Sequence, residues 1–225
     1  MIIKLDMVNA FDRVKNSFLL KVLDKFGFSK SFTNLIRAYI GIRWIAPLIN
    51  GRPTNVFQTS RGIRQGCPLS PFLYILMAES LSRKLLAEKE EGNLPGIKIE
   101  EGVQAINHAL FAYDTICMGG ASMRIAKGFK SNLNNYRRAS GGLINVNKSD
   151  IYGWNTDQRL INKIANSLGM QGHDTWEKFK YLGLPIFLGT SKGRHWQEVV
   201  EKMDGKIKFF FGGVDGSTML EKLSL

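Results

Sequence analysis

The sequence predicts an α+β fold: an antiparallel sheet backed by helices on one face. Three observations predict it. Short apolar runs are bounded by glycine, proline, asparagine or aspartate, as strands and their turns are. These runs do not alternate regularly with helical patterns, so a parallel α/β sheet is a poor match. Amphipathic stretches at helical spacing supply apolar faces to cover a sheet.

Size and charge bound the answer before any motif does. The chain has 225 residues, enough for one large domain or one and a half. It carries 31 Lys and Arg against 19 acids, a formal net charge of +12, which makes a polyanion the first partner to consider. The bases are spread along the chain, so no basic tail is expected. Cys67 and Cys117 are too few for a disulfide framework and point to a reducing, intracellular compartment, nucleus or cytoplasm, with no disulfide partner. No apolar run is long enough to span a bilayer, and Met1–Leu5 is too short for a signal peptide, so no membrane role is expected.

In order, Met1–Leu5 is a buried strand that delivers Asp6 at its end. Phe18, Leu19, Val22, Leu23 and Phe26 share one side of a helix closed by Gly27, and Ser31 opens a second helix through Ile40. A strand over 42–49 turns at Asn50-Gly51 and returns over 55–59. The loop Arg61–Pro71 follows, with Ser70 as N-cap and Pro71 in the first helical position of a helix ending near Glu88–Glu91. Further strands are expected over 96–103, in a central hairpin, and over 143–146. A basic helix runs from Met123 to Ala139 and stops at Gly141-Gly142, and Thr156 caps another to Leu168. A strand over 179–188 and a helix around 196–208 complete the reading.

The central hairpin carries the sharpest signal. Apolar runs Ala109–Ala112 and Ile116–Met118 flank a tip of Tyr113, Asp114 and Thr115, with no Asn-Gly or Asp-Gly pair. Alone, this is a hairpin with a solvated aspartate. Yet two strands each end on an acid, and pairing them in one sheet would bring Asp6 and Asp114 together. Two carboxylates so placed repel unless cations sit between them, and Mg²⁺ takes carboxylate, phosphate and water oxygens.

At these residues the chain resembles a known family. Lys4–Val14 resembles the first palm motif of reverse transcriptases from non-LTR retrotransposons, the long interspersed elements, especially those of plants. Arg61–Pro71 resembles the second motif, and Leu110–Thr115 the metal-binding hairpin. Gly142–Ser149 and Lys180–Pro185 resemble the two motifs that follow. The five occur in the family's order over residues 4 to 185.

The resemblance implies a role for each matching residue. Asp6 and Asp114 would be catalytic metal ligands for Mg²⁺ or Mn²⁺, and Lys148 the cation that protonates or neutralises the departing pyrophosphate. Phe11 would lie under the sugar and exclude a ribose 2′-hydroxyl, and Gln65 and Gly66 would line the nucleotide pocket. Tyr181, Leu182 and Gly183 would form the primer grip. Without the resemblance, Asp6 is a strand-end acid or helix cap, Phe11 a core ring, Gln65-Gly66 a turn, Lys148 a surface lysine and Tyr181–Gly183 a buried strand. Asp12 and His108 carry no assigned role: Asp12 is read as a helix cap or the partner of Arg13 or Lys15, and His108 as structural.

The chain departs from the family at Tyr113, which stands where the first of two consecutive acids belongs. A phenol of pKa near ~10 is a poor ligand at neutral pH. The expectation is therefore a truncated, degenerate polymerase with an incomplete two-metal site and impaired activity. A palm with partial fingers is expected over 1–188, and a partial thumb or degenerate tail over 189–225. Its partners would be an RNA template, a DNA primer and deoxynucleotides. The alternative is a non-catalytic basic remnant that binds RNA or RNA–DNA hybrid, through residues such as Lys127, Lys130, Arg137 and Arg138. A third is an unstable remnant with uncovered apolar surface.

Overall fold

A computed structural model describes residues 1–41, 43–175, 179–182, 184–185, 197 and 200–204. The chain forms two compact units, Met1–Asp174 and Thr175–Leu225.

In the first unit, β1 (Ile2–Leu5) is followed by α1 (Asn16–Lys25), α2 (Lys30–Ile40), β2 (Arg43–Ile45), β3 (Leu48–Ile49), β4 (Arg52–Pro53) and β5 (Phe57–Thr59). Then come α3 (Leu69–Glu90), β6 (His108–Phe111), β7 (Asp114–Met118), α4 (Met123–Ser140), β8 (Asp150–Tyr152), α5 (Gln158–Leu168) and β9 (Gln171–His173). The second unit contains a short antiparallel hairpin of β10 (Lys180–Tyr181) and β11 (Leu184–Pro185). Gln197 and residues 200–204 are helical. The rest of the strand expected over 179–188 and of the helix over 196–208 lies outside the described residues.

The fold is α+β, and its main sheet has the order β6-β7-β1-β8-β9. All neighbours are antiparallel except β8 and β9, which α5 joins in parallel. β1 is central, and its alternation separates the two faces. Ile3, with its register partners Cys117 and Ile151, and Leu5 form one core with Leu85 of α3, Phe129 and Leu133 of α4, and Ile164 of α5. Lys4 and its partners Ile116 and Asp150 occupy the opposite face. A second core joins α1, α2 and the first half of α3 through Leu19, Leu23, Ile36, Ile40, Leu73 and Met77.

Several boundaries differ from the sequence expectation. The cap of α2 is Ser29, whose Oγ accepts from the Phe32 N–H at 3.2 Å, so the helix opens before Ser31. α3 begins at Leu69 rather than after Ser70, and Ser70 is buried with its Oγ 3.4 Å from the Tyr39 hydroxyl. Pro71 still falls in the first turn, where a missing N–H leaves no bond unmade. Asp157, not Thr156, caps α5: its carboxylate accepts from the Arg159 N–H at 2.6 Å. The strand expected over 42–49 is two pieces, because Ala46-Pro47 interrupts it, while Asn50-Gly51 turns with both residues at positive φ. Residues 96–103 keep only the isolated bridge Ile97↔Ile106. Gly96 there takes φ +81° against the Ile106 carbonyl, where any Cβ would clash. Residues 143–146 likewise keep only the bridge Met7↔Ile144 and a 3₁₀ turn at Val146–Lys148.

Candidate active site

The site is built at the end of β1. Its register with β7 runs Ile2↔Met118 to Leu5↔Thr115, and the next step sets Asp6 beside Asp114. Directly opposed residues of antiparallel strands have Cβ atoms about 4.5–5.5 Å apart. Alternation puts both acids on the face of Lys4, away from the helices. Burial pushes the Asp114 carboxyl above its usual range, the Lys4 ammonium pulls it back, and the Asp6 carboxylate pushes it up again. The two acids therefore feel one another.

The hairpin tip is shorter than expected. Phe111 pairs with Asp114, so the turn is Ala112-Tyr113 and Asp114 begins β7 instead of capping the loop. Ala112 takes φ +52°, the left-handed conformation that a two-residue turn demands and that a Cβ disfavours. Tyr113 is 47% exposed, beside Asp114 in sequence.

Backbone bonds to a distant loop fix Asp6. Its N–H donates to Ser149 Oγ at 3.0 Å, and its carbonyl accepts from the Asn145 N–H at 2.8 Å. Ser149 Oγ donates in turn to the Asn145 carbonyl at 2.7 Å, and Ser149 is fully buried. This loop brings Lys148, exposed at the end of the 3₁₀ turn, to the Asp6 end of the sheet. Ser149 ends the Gly142–Ser149 stretch, but its bond to Asp6 is not readable there because the partner lies 143 residues away.

Phe11, Gln65 and Gly66 do come together. With Cys67, Pro68, Ser70 and Pro71 they line an open cavity of about 530 Å³. Phe11 is half-buried and stacks on Tyr74 with ring centroids 5.2 Å apart, so it is both a core ring and a cavity wall. Burial raises the Tyr74 phenol to about 12, so that ring remains neutral. The loop and the turn after β1 are joined by Gly62 N–H to the Val14 carbonyl at 2.8 Å and Ile63 N–H to the Phe11 carbonyl at 2.9 Å. Asp12 was expected to cap a helix or pair with a neighbouring base. Instead it accepts from the Gln65 amide, and Lys15 donates to the Arg138 carbonyl. His108 is held by Ser82 and Asn107, a structural arrangement.

Tyr181 and Leu182 lie in the β10–β11 hairpin of the second unit, with Leu182 at φ +52°, and Gly183 lies outside the described residues. Among the described residues no cluster of three His, Cys, Asp or Glu side chains is placed to hold a metal. The carboxylate pair Asp6 and Asp114 could hold one divalent cation, whose other positions would go to phosphate and water oxygens. It lacks the third acid of the two-metal pattern. No helix among the described residues is long and apolar enough to cross a membrane.

Residues 1–186 match the family model for reverse transcriptase (RNA-dependent DNA polymerase). An uncharacterized mitochondrial protein of Arabidopsis thaliana is 50% identical over 68 residues, covering 30% of this chain and 56% of that protein. The Pol polyprotein of the type-1 retrotransposable element R2 from Popillia japonica is 29% identical over 99 residues, 44% of this chain and 16% of that protein. The uncharacterized 149 kDa protein of transposon TX1 from Xenopus laevis is 29% identical over 150 residues, 65% of this chain and 11% of that protein. The chain thus spans 56% or less of each of these relatives. Telomerase from Candida albicans, solved with a fragment of telomeric RNA, matches 66% of this chain and 27% of its own at 13% identity, with a TM-score of 0.49. With its family model matched over residues 1–186 of 225, the chain belongs to the reverse transcriptase family.

Proposed function

We propose that the chain is an RNA-directed DNA polymerase domain by descent that binds template, primer and deoxynucleotide but has lost most of its chemistry at Tyr113. The observation that carries this reading is the register that sets Asp6 beside Asp114 on the sheet face opposite the helices. Phe11 walls the cavity that Gln65 and Gly66 share, a placement suited to resting a sugar ring on an aromatic face and rejecting a 2′-hydroxyl. Lys148, exposed on the loop tied to Asp6, supplies a mobile cation for a leaving pyrophosphate. A divalent cation held by Asp6 and Asp114 would polarise phosphate oxygens and favour ionisation of a primer hydroxyl. Tyr113 offers a phenol oxygen where a second shared carboxylate would stand, so a loss of order ~10³-fold in rate is expected.

A second reading has its own support: α4 exposes Lys127, Lys130 and Arg138, joined by Arg124, on a chain of net charge +12, while Arg137 is half-buried and donates to Asn134 Oδ1. Such a module would hold RNA or RNA–DNA hybrid through phosphates alone, with affinity falling steeply with salt. Binding of a recessed RNA–DNA hybrid, with each deoxynucleotide added in the presence of Mg²⁺, separates the two. The polymerase reading predicts a ternary complex stabilised by the nucleotide that matches the next template base. Salt-sensitive binding indifferent to nucleotide supports the second reading and contradicts the first.

A further inference from the structure

The turn after β1 and the glycine loop before α3 meet through one side-chain pair that the roles above leave unused. Gln65 Nε2 lies 3.0 Å from Asp12 Oδ1 and 3.1 Å from Asp12 Oδ2. An ionised carboxylate accepts hydrogen bonds and donates none, so the NH₂ end of the Gln65 amide has to face it. The opposite branch of the planar amide then presents its oxygen away from Asp12. Gln65 lines the cavity that holds Phe11. It also lines an adjoining cleft of about 650 Å³ that Asp12, Arg61 and Arg64 share. The salt bridges among the described residues do not include Asp12, so its carboxylate serves Gln65 and not the two arginines.

The backbone holds both partners in place. Gly62 packs so closely on the main chain of Asp12 that a Cβ there would lie 2.9 Å from the Asp12 carbonyl oxygen. The bonds from Gly62 and Ile63 to Val14 and Phe11 bracket Asp12 on either side. Both side chains are exposed, so an unheld Gln65 amide would rotate freely.

We propose that Asp12 is a positioning residue: it fixes the Gln65 carboxamide so that its oxygen accepts a hydrogen bond from a donor group of the bound nucleotide. This rests on the nucleotide-pocket reading of the Phe11–Gln65 cavity, and two measurements separate the inferences. The first is calorimetric binding of dATP with Mg²⁺ to the full chain carrying a hybrid with template uridine next to be copied. It compares the parent with Asp12→Ala, Asp12→Asn, Gln65→Ala and the double variant Asp12→Ala/Gln65→Ala. Asp12→Ala and Gln65→Ala are each expected to weaken dATP by about tenfold. The double variant should be no weaker than Gln65→Ala alone, and Asp12→Asn, which keeps one acceptor oxygen, should recover part of the loss. Losses that multiply, or Asp12→Ala within twofold of the parent while Gln65→Ala is impaired, overturn the positioning role.

The second measurement is independent of nucleotide: the ¹⁵N relaxation of the Gln65 side-chain amide, assigned by its disappearance in Gln65→Ala. A rigid amide in the parent that becomes mobile in Asp12→Ala supports the lock, and an amide equally mobile in both overturns it. If Gln65→Ala leaves dATP binding unchanged while the amide is rigid only with Asp12 present, the cavity reading fails and the lock alone stands, without its proposed role toward nucleotide.

Discussion

The two ends of the proposed site are built to different standards. The cavity end is over-determined: Gly62 lies against the backbone of Asp12, two main-chain bonds cross from the loop to the turn, and Phe11 stacks on buried Tyr74. The carboxylate end has its own scaffold, with Asp6 tied to Ser149 and Asn145, and in the proposed reading Tyr113 stands in its ligand set. An exposed tyrosine at a hairpin tip disturbs no packing. Loss of chemistry without loss of fold is what such a division permits, because ligand side chains contribute little to the core that positions them.

Gly62→Ala should break the cavity end most severely. It combines a positive φ of +91° with a Cβ 2.9 Å from the Asp12 carbonyl oxygen, so a destabilisation of about 2–3 kcal/mol is expected in urea unfolding. Ser149→Ala tests the other end. It strands the Asp6 N–H and should cost about 1–2 kcal/mol, with Asp6 loosened and dATP affinity in the Phe11–Gln65 cavity nearly unchanged. Equal damage to both ends would show that they are not independent.

Asp114 gives a smaller effect with a defined sign. Its carboxyl is raised in the folded state, so it binds its proton more tightly folded than unfolded. Stability from that group is therefore present below the unfolded carboxylate pKa and is lost as pH rises through the folded one. Asp114→Asn should accordingly raise Tm at pH 7, with the gain shrinking as pH falls through the carboxylate range. Mg²⁺ should raise the Tm of the parent more than that of Asp114→Asn. The smallest effect belongs to Ala112→Gly, which relieves the left-handed alanine at φ +52° and should stabilise by about 1 kcal/mol or less.

Much of this was legible in the sequence, for reasons that are local. The strand ending at Asp6, the Asn50-Gly51 turn and the glycine stops at Gly27 and Gly141 depend on neighbours in the chain. β8 and β9 were not foreseen: each has three residues, and Gln171-Gly-His173 has no apolar alternation to betray a strand. The Asp12–Gln65 pair spans 53 residues and the Asp6–Ser149 bond 143, so neither leaves a pattern at any helical or strand period. The tip of the central hairpin was misplaced because Ala112 adopts a conformation that alanine seldom takes.

The central claim is that one side chain separates an intact scaffold from its chemistry. Primer extension on an RNA template, with Mg²⁺ and then Mn²⁺, compares the parent with Tyr113→Asp at matched folded concentration. The account predicts incorporation by Tyr113→Asp at a rate of order ~10³-fold above the parent, with unchanged dATP affinity. Equal rates in the two proteins, whether both extend the primer or neither does, would contradict it.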